Sequence, residues 1–234
     1  MVLPAVVTQQ IEKALIALQI HPQQTLMPIE RLAIYDAFGF RSNLQEQRVR
    51  AYLALITAQR VLPLWQVAFP SDDMPKRMLV LAEGVLRRTV DTEVAAREMA
   101  DAWYHHPQSG DSEEYVLWHI YCAGEAALNA VSEALGKNPL AERIQDYTSA
   151  NHKDPIYIKD AETITDNDLV YGVADTASSA AIAYAGRIDG GDGYLIDSPS
   201  DPEKRREFWE WWLTEAIPQA WELAAEQPQG SFKY

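Results

Sequence analysis

Asp201-Pro202-Glu203-Lys204-Arg205-Arg206-Glu207-Phe208-Trp209-Glu210-Trp211-Trp212-Leu213-Thr214-Glu215-Ala216-Ile217-Pro218-Gln219-Ala220-Trp221-Glu222-Leu223-Ala224-Ala225 holds four of the seven tryptophans of a 234-residue chain, and its reading decides the fold. Asp201 suits an N-cap, and Pro202 suits a first helical residue, whose amide hydrogen has no partner in any case. Phe208, Trp212, Glu215 and Ala216 share one side at helical spacing, and Trp209, Leu213, Ile217 and Trp221 share the neighbouring one, so the apolar stripe is wide. Each indole can bury on the order of 150 to 250 Å². Such a helix must be covered by others, and its aromatics read as core rather than as a ligand site. Pro218 bends or restarts it, because the ring clashes with the carbonyl four residues back.

Outward from that stretch, the periodicity stays helical. Residues 4–19 place Val7, Ile11, Ala14, Leu15 and Leu18 on one side, and residues 28–38 form a short helix with proline in its first turn and Gly39 after its last. Ser42 with Gln45 gives a capping pattern for a helix towards Phe69, kinked at Pro63. Asp72 or Asp73 caps the next one, to Arg88, and residues 92–104 follow with Val94, Met99, Ala102 and Trp103 inward. Asp111 with Glu114 opens a helix that Gly136 closes. Its interior, Cys122-Ala123-Gly124-Glu125-Ala126-Ala127, resembles Ala174-Asp175-Thr176-Ala177-Ser178-Ser179-Ala180-Ala181, so the two runs are expected to pack face to face. Asp166 is expected to cap the helix carrying that second run, over residues 167–188, with a minor strand at 155–158. The expectation is an all-α, multi-helix bundle of about eight or nine helices in a single domain, residues 1–234.

Composition narrows the function. Forty-seven per cent of the residues are hydrophobic and 23% charged, which is globular rather than disordered. A single cysteine, Cys122, rules out an internal disulfide framework and a multi-cysteine metal site. The opening residues lack the basic region of a signal peptide, and no apolar run approaches a membrane span, so a soluble, cytoplasmic protein is expected. The net charge is -14. Residues 142–203 carry 13 acids and 4 bases, and this field repels nucleic acid and favours a cationic partner. A coherent face from Asp160, Glu162, Asp166, Asp168, Asp189, Asp192 and Asp197 is the expected partner-binding surface.

No constellation reads as catalytic. His105 and His106 are adjacent, which points them apart on a helix, unlike the paired histidines of a zinc protease. The loop 189–197 lacks the alternating acids of a calcium loop and the lysine of a phosphate loop. Cys122 and His119 lie one turn apart without an orienting third group. Glu125 and Asp175, alone in apolar runs, call for buried ion pairs, for which Arg60, Arg77, Arg87 and Arg88 are available. No cofactor or metal is expected. Asp72, Asp73, Arg77, Trp209 and Trp212 read as structural junction residues.

Three stretches together resemble a known family. Arg60-Val61-Leu62-Pro63-Leu64-Trp65 followed by Pro70-Ser71-Asp72-Asp73-Met74-Pro75-Lys76-Arg77 is similar to a segment of the fifth immunity family of bacterial polymorphic toxin systems. The run Ala181-Ile182-Ala183-Tyr184-Ala185 and the segment Lys204 to Leu213 are similar to further parts of it, so the resemblance spans residues 48–221. It implies an all-helical antidote that binds and blocks a cognate toxin, with no catalysis of its own. The competing readings are a helical scaffold or homo-oligomer, and a metal-dependent enzyme built on His105 and His106.

Overall fold

The structure is a computed structural model that describes residues 2–39, 43–105, 118–151, 163–169, 174–186 and 200–226. It is an all-α bundle. Helix α1 (Ala5–Ile20) buries Val7, Ile11, Ala14 and Leu18, the set its spacing selects, and α2 (Pro28–Phe38) starts and stops where the sequence places it. The Met27 amide donates to Glu30 Oε2 at 2.7 Å, the return half of a capping box at the start of α2. Helix α3 (Asn43–Ala68) continues past Pro63, which sits on its exposed side. Helices α4 (Met74–Leu86) and α5 (Thr92–His105) follow, and α6 (Trp118–Ala134) and α7 (Pro139–Asn151) come next. The caps expected at Ser42 and Asp111, and the strand-like 155–158, lie outside the described residues.

Helices α3 and α6 form the centre. Helix α3 touches α2, α4, α6, α8 (Thr176–Ala185) and α10 (Ile217–Glu226), while α6 lies along α3, α4 and α8. The face-to-face packing of the two small-residue runs is present: Cys122, Ala123, Ala126, Ala127 and Ala130 of α6 are buried, as are Ala177, Ala180 and Ala181 of α8. Alanines at the contact let two helix axes approach closely. Gly136, at φ +89°, ends this stretch after α6, and a Cβ there would fall 1.9 Å from Gln47 Nε2. The left-handed backbone demands glycine, whereas the flexible end of Gln47 could move aside. The next carbonyl, of Lys137, accepts from Arg50 Nη1, so the turn is tied to α3.

One expected helix is corrected. Residues 167–188 do not form a helix capped by Asp166; Asp166–Asp168 is a single 3-10 turn, capped by Thr165 and Asp168. Helix α8 starts later, as Thr176–Ala185, and Asp175 is its N-cap, accepting from the Ser178 amide at 2.8 Å while Ser178 Oγ returns to the Asp175 amide. The residue read as a costly interior carboxylate is therefore a cap, where a charge meets free amides and the helix dipole.

The tryptophan segment forms α9 (Pro202–Trp211), a π turn (Trp212–Ala216) and α10 (Ile217–Glu226) in continuous succession. Asp201 Oδ1 caps it, accepting from the Lys204 amide at 3.0 Å. The π turn answers Pro218. With no amide hydrogen at 218 and a ring crowding the carbonyl of residue 214, the helix widens by one residue, and the Ile217 amide reaches back to Trp212 O. Phe208, Trp209, Trp212 and Trp221 are fully or almost fully buried in a core that runs without a break from Val7 to Ala224. Trp209 and Trp212 meet edge to face at 5.6 Å, and Phe38 of α2 faces Trp221 at 6.4 Å. Among the described residues no helix is long and apolar enough to cross a membrane.

Candidate functional site

The chemistry of the interior gathers around Arg31, which sits on the apolar side of α2 in step with Ile34, Tyr35 and Phe38. Its exposure is 0%. Nη1 and Nη2 donate to the two oxygens of Asp166 at 2.9 and 2.5 Å, Nε donates to Asp175 Oδ2 at 3.3 Å, and Nη1 also reaches Leu26 O at 2.9 Å. Tyr35 Oη donates to the same Asp175 oxygen at 3.1 Å. Burial works against charge on both sides of this assembly. Asp166 and Asp175 outweigh it for Arg31, whose pKa is raised, and burial pushes the Asp166 carboxyl and the Tyr35 hydroxyl up. A two-pronged guanidinium contact is the geometry that can hold such a charge away from water.

The polar seam continues between α6 and α8. Thr176 Oγ1 donates to Glu133 Oε1 at 2.7 Å, and Asn129 Nδ2 meets Ser179 Oγ at 3.4 Å. Glu125, Asn129 and Glu133 recur every four residues, so the seam is one stripe of α6. Burial pushes Glu133 up to about 7 against the pull of Arg50, and it does the same to Glu125 against Arg143. Oε2 of each has no hydrogen-bond partner among the described residues. Both carboxyls therefore hold their protons well above the pH at which an exposed glutamate loses its own.

Arg205 is another buried cation, on the apolar side of α9 with Phe208 and Trp209. It donates to Gln23 O, Gly186 O and Ser200 Oγ at 3.1 to 3.2 Å, and so joins the α1–α2 loop, the end of α8 and the start of α9. The guanidinium of Arg31 lies 5.4 Å from the Trp209 ring, whose Nε1 donates to Thr25 Oγ1 at 3.2 Å. The void beside Asp166 and Arg205 is about 10 Å³, room for one water and for no substrate. The cluster is therefore an internal fastener.

The expected site residues separate into three groups. Asp160, Glu162, Asp189, Asp192 and Asp197 lie outside the described residues, as does His106. Asp166 is buried against Arg31 and does not belong to an outer face, and the half-buried Asp168 accepts from the Thr165 amide at 2.8 Å. Asp72 Oδ1 accepts from the Met74 amide at 2.8 Å, its carbonyl accepts from Trp65 Nε1 at 3.2 Å, and Arg77 meets the exposed Asp73 at 3.0 Å. These residues sit at the α3–α4 corner. Asp175 pairs with Arg31 rather than with Arg60, Arg77, Arg87 or Arg88, and the nearest cationic influence on Glu125 is Arg143.

A larger groove of about 450 Å³ opens between α4 and α5, lined by Asp72, Met74, Arg77, Met78, Glu98, Asp101, Ala102 and His105. His105 Nε2 stands 3.6 Å from Asp101, and both are exposed. The described lining holds no serine, threonine or cysteine for them to activate. Cys122 is buried, and burial lowers the pKa of His119. Trp103, expected inward on α5, is 37% exposed, while Ala95 and Ala102 are buried and Met99 is half-buried against the core. No group of three or more potential metal ligands occurs among the described residues.

Two comparisons bear on identity. The sequence model of the family described as Immunity protein Imm5 matches residues 11–219, reaching further towards the N-terminus than the motifs that begin near Arg48. No curated protein matches the chain significantly.

Proposed function

The chain belongs to the Immunity protein Imm5 family, and from that membership we propose that it binds and neutralises a cognate toxin domain through an acidic surface, without catalysis of its own. The family match over most of the chain carries the reading. Charge supports it: at -14 overall, the protein attracts a basic partner over a distance and competes for any phosphate-binding surface that partner uses. In this reading the acids at 160, 162, 168, 189, 192 and 197 contribute to the long-range negative field, and the chain acts as one helical unit in the cytoplasm. The interior ions hold helix register instead of doing chemistry.

The test is a rescue screen. Fragments of the source genome that arrest growth of a foreign host are expressed with and without this chain. Relief of arrest by at least one protein-coding fragment, with a one-to-one complex on gel filtration, is the expected result. If no arresting fragment is relieved, the reading fails. A helical scaffold would then be favoured by self-association, and an enzyme by turnover or metal uptake.

A further inference from the structure

Where α3, α8 and α9 meet, the surface carries large side chains that are held in place yet open to water. Arg60 Cζ lies 4.7 Å from the centre of the Trp211 ring and 5.6 Å from that of Tyr184. Tyr184 Oη donates to Glu207 Oε1 at 2.7 Å, and Arg60 Nη2 stands 3.8 Å from the same oxygen. Trp211 and Tyr184 are half-buried, resting on Phe208, whose ring lies within 6 Å of both. On the outer side of α3, Leu64 follows Arg60 by one turn and Val67 by two, both exposed.

Three physical points make this face an interface. Tryptophan, tyrosine and arginine are the side chains that dominate binding energy at protein contacts. Here they brace one another, so little side-chain freedom remains to be lost on docking. The border is acidic: Glu203, Glu207, Glu210, Glu215, Glu222 and Glu226 line the outer side of α9, the π turn and α10, against Lys204 and Arg206. Since Arg60 is already faced by Glu207, the field left over is negative. A second copy of this chain seated symmetrically would set carboxylates against carboxylates. A surface with an apolar centre and a lysine- and arginine-rich rim fits instead.

We propose that the face centred on Trp211, Tyr184 and Arg60, bordered by the acidic side of α9 and α10, is the seat of the toxin, which docks through a cationic patch around an apolar centre. This assignment rests on the immunity reading above. It differs from a docking site built on the 189–197 acids.

The probe is the toxin domain recovered by the rescue screen, titrated against the full chain. Trp211→Ala should weaken the complex about 30-fold. Because that side chain is half-buried, a second variant avoids the packing: Val67→Lys with Glu215→Lys and Glu222→Lys should slow association about tenfold and flatten its salt dependence. A control, Asp189→Asn with Asp192→Asn and Asp197→Asn, should change affinity less than about threefold, in line with rim charges. Thermal unfolding checks that each variant is folded. If the toxin binds the unmodified chain and both face variants alike, this surface is wrong while the immunity reading stands. Loss of binding only in the 189–197 control overturns it in favour of that loop. A dimer of the unmodified chain that Trp211→Ala separates assigns the face to a second copy. If no toxin is relieved at all, the surface falls together with the immunity reading.

Discussion

The tryptophan seam of α9 and α10 and the ion seam around Arg31 are equally dry, and they stand on opposite physics. Phe208, Trp209, Trp212 and Trp221 gain by leaving water, and each contributes whether or not its neighbour is ideal. Arg31, Asp166 and Asp175 lose by leaving water and recover that loss only through each other. The two seams share a wall: Arg31 lies over Trp209, and Tyr35 gives its hydroxyl to Asp175 and its ring to Trp212 at 6.2 Å. An apolar seam fails gradually, while an ionic seam fails when one member is removed.

That contrast can be broken experimentally. Trp212→Ala and Arg31→Met should each cost roughly 4 kcal/mol in urea unfolding at pH 7, the first by leaving a cavity and the second by stranding two carboxylates. Repair separates them. Adding Asp166→Leu and Asp175→Asn to Arg31→Met should recover most of the loss, since replacing all three ions leaves no stranded charge. No polar substitution beside the Trp212→Ala cavity should do the same, and recovery there would erase the distinction.

A smaller effect sharpens it through pH. Glu133 binds its proton up to about pH 7 in the folded chain, and near 4.5 when unfolded. Between those values the folded state holds more protons, so this group's contribution to stability falls as pH rises from 4.5 to about 7 and is level above. The size is roughly 3 kcal/mol, at 1.36 kcal/mol per pH unit. Glu133→Gln, which copies the protonated form, should therefore stabilise at pH 8 by an amount of that order and change little near pH 4.5. Glu125→Gln should behave alike. Thermal unfolding across that range checks both, and equal gains at both ends would mean burial does not hold these protons.

The smallest effect tests the start of the tryptophan helix. Asp201→Ala should cost about 1 kcal/mol, the usual loss of an N-cap, with no dependence on the ion seam. A larger loss measured by urea unfolding would show that Asp201 also positions Arg205.

The sequence carried the apolar seam openly because area and period are local properties. The bounds of α2 and the N-cap at Asp201 follow from residues near one another in the chain, and each alanine-rich run shows by its own composition that it can be approached closely. The ion seam was hidden because its partners lie 135 and 144 residues apart. A signal was present nonetheless. Arg31 and Arg205 each occupy an apolar stripe at the spacing of their buried neighbours, and an arginine there demands a distant acceptor. Asp166 misled for a related reason: in an acidic stretch a carboxylate looks like surface, while burial depends on which cation reaches it. The Thr176 start of α8 was missed because a cap inside an alanine run reads as a buried charge. The aromatic cluster at Arg60 was likewise scattered over three helices, at residues 60, 184 and 211.

The distance between Thr25 and Trp209 has a consequence for synthesis. Their hydrogen bond spans 184 residues, so the N-terminal helices wait for α9 before their core can close. At 5 to 20 residues per second, translation takes on the order of 10 to 40 s to supply that partner. Throughout that interval the part of the core that α9 covers stays open, although α1 and α2 already pack on each other and Asp166 and Asp175, the acceptors of Arg31, are made sooner. A fragment cut short before α9 would then lack one wall of this core, however much of it was made.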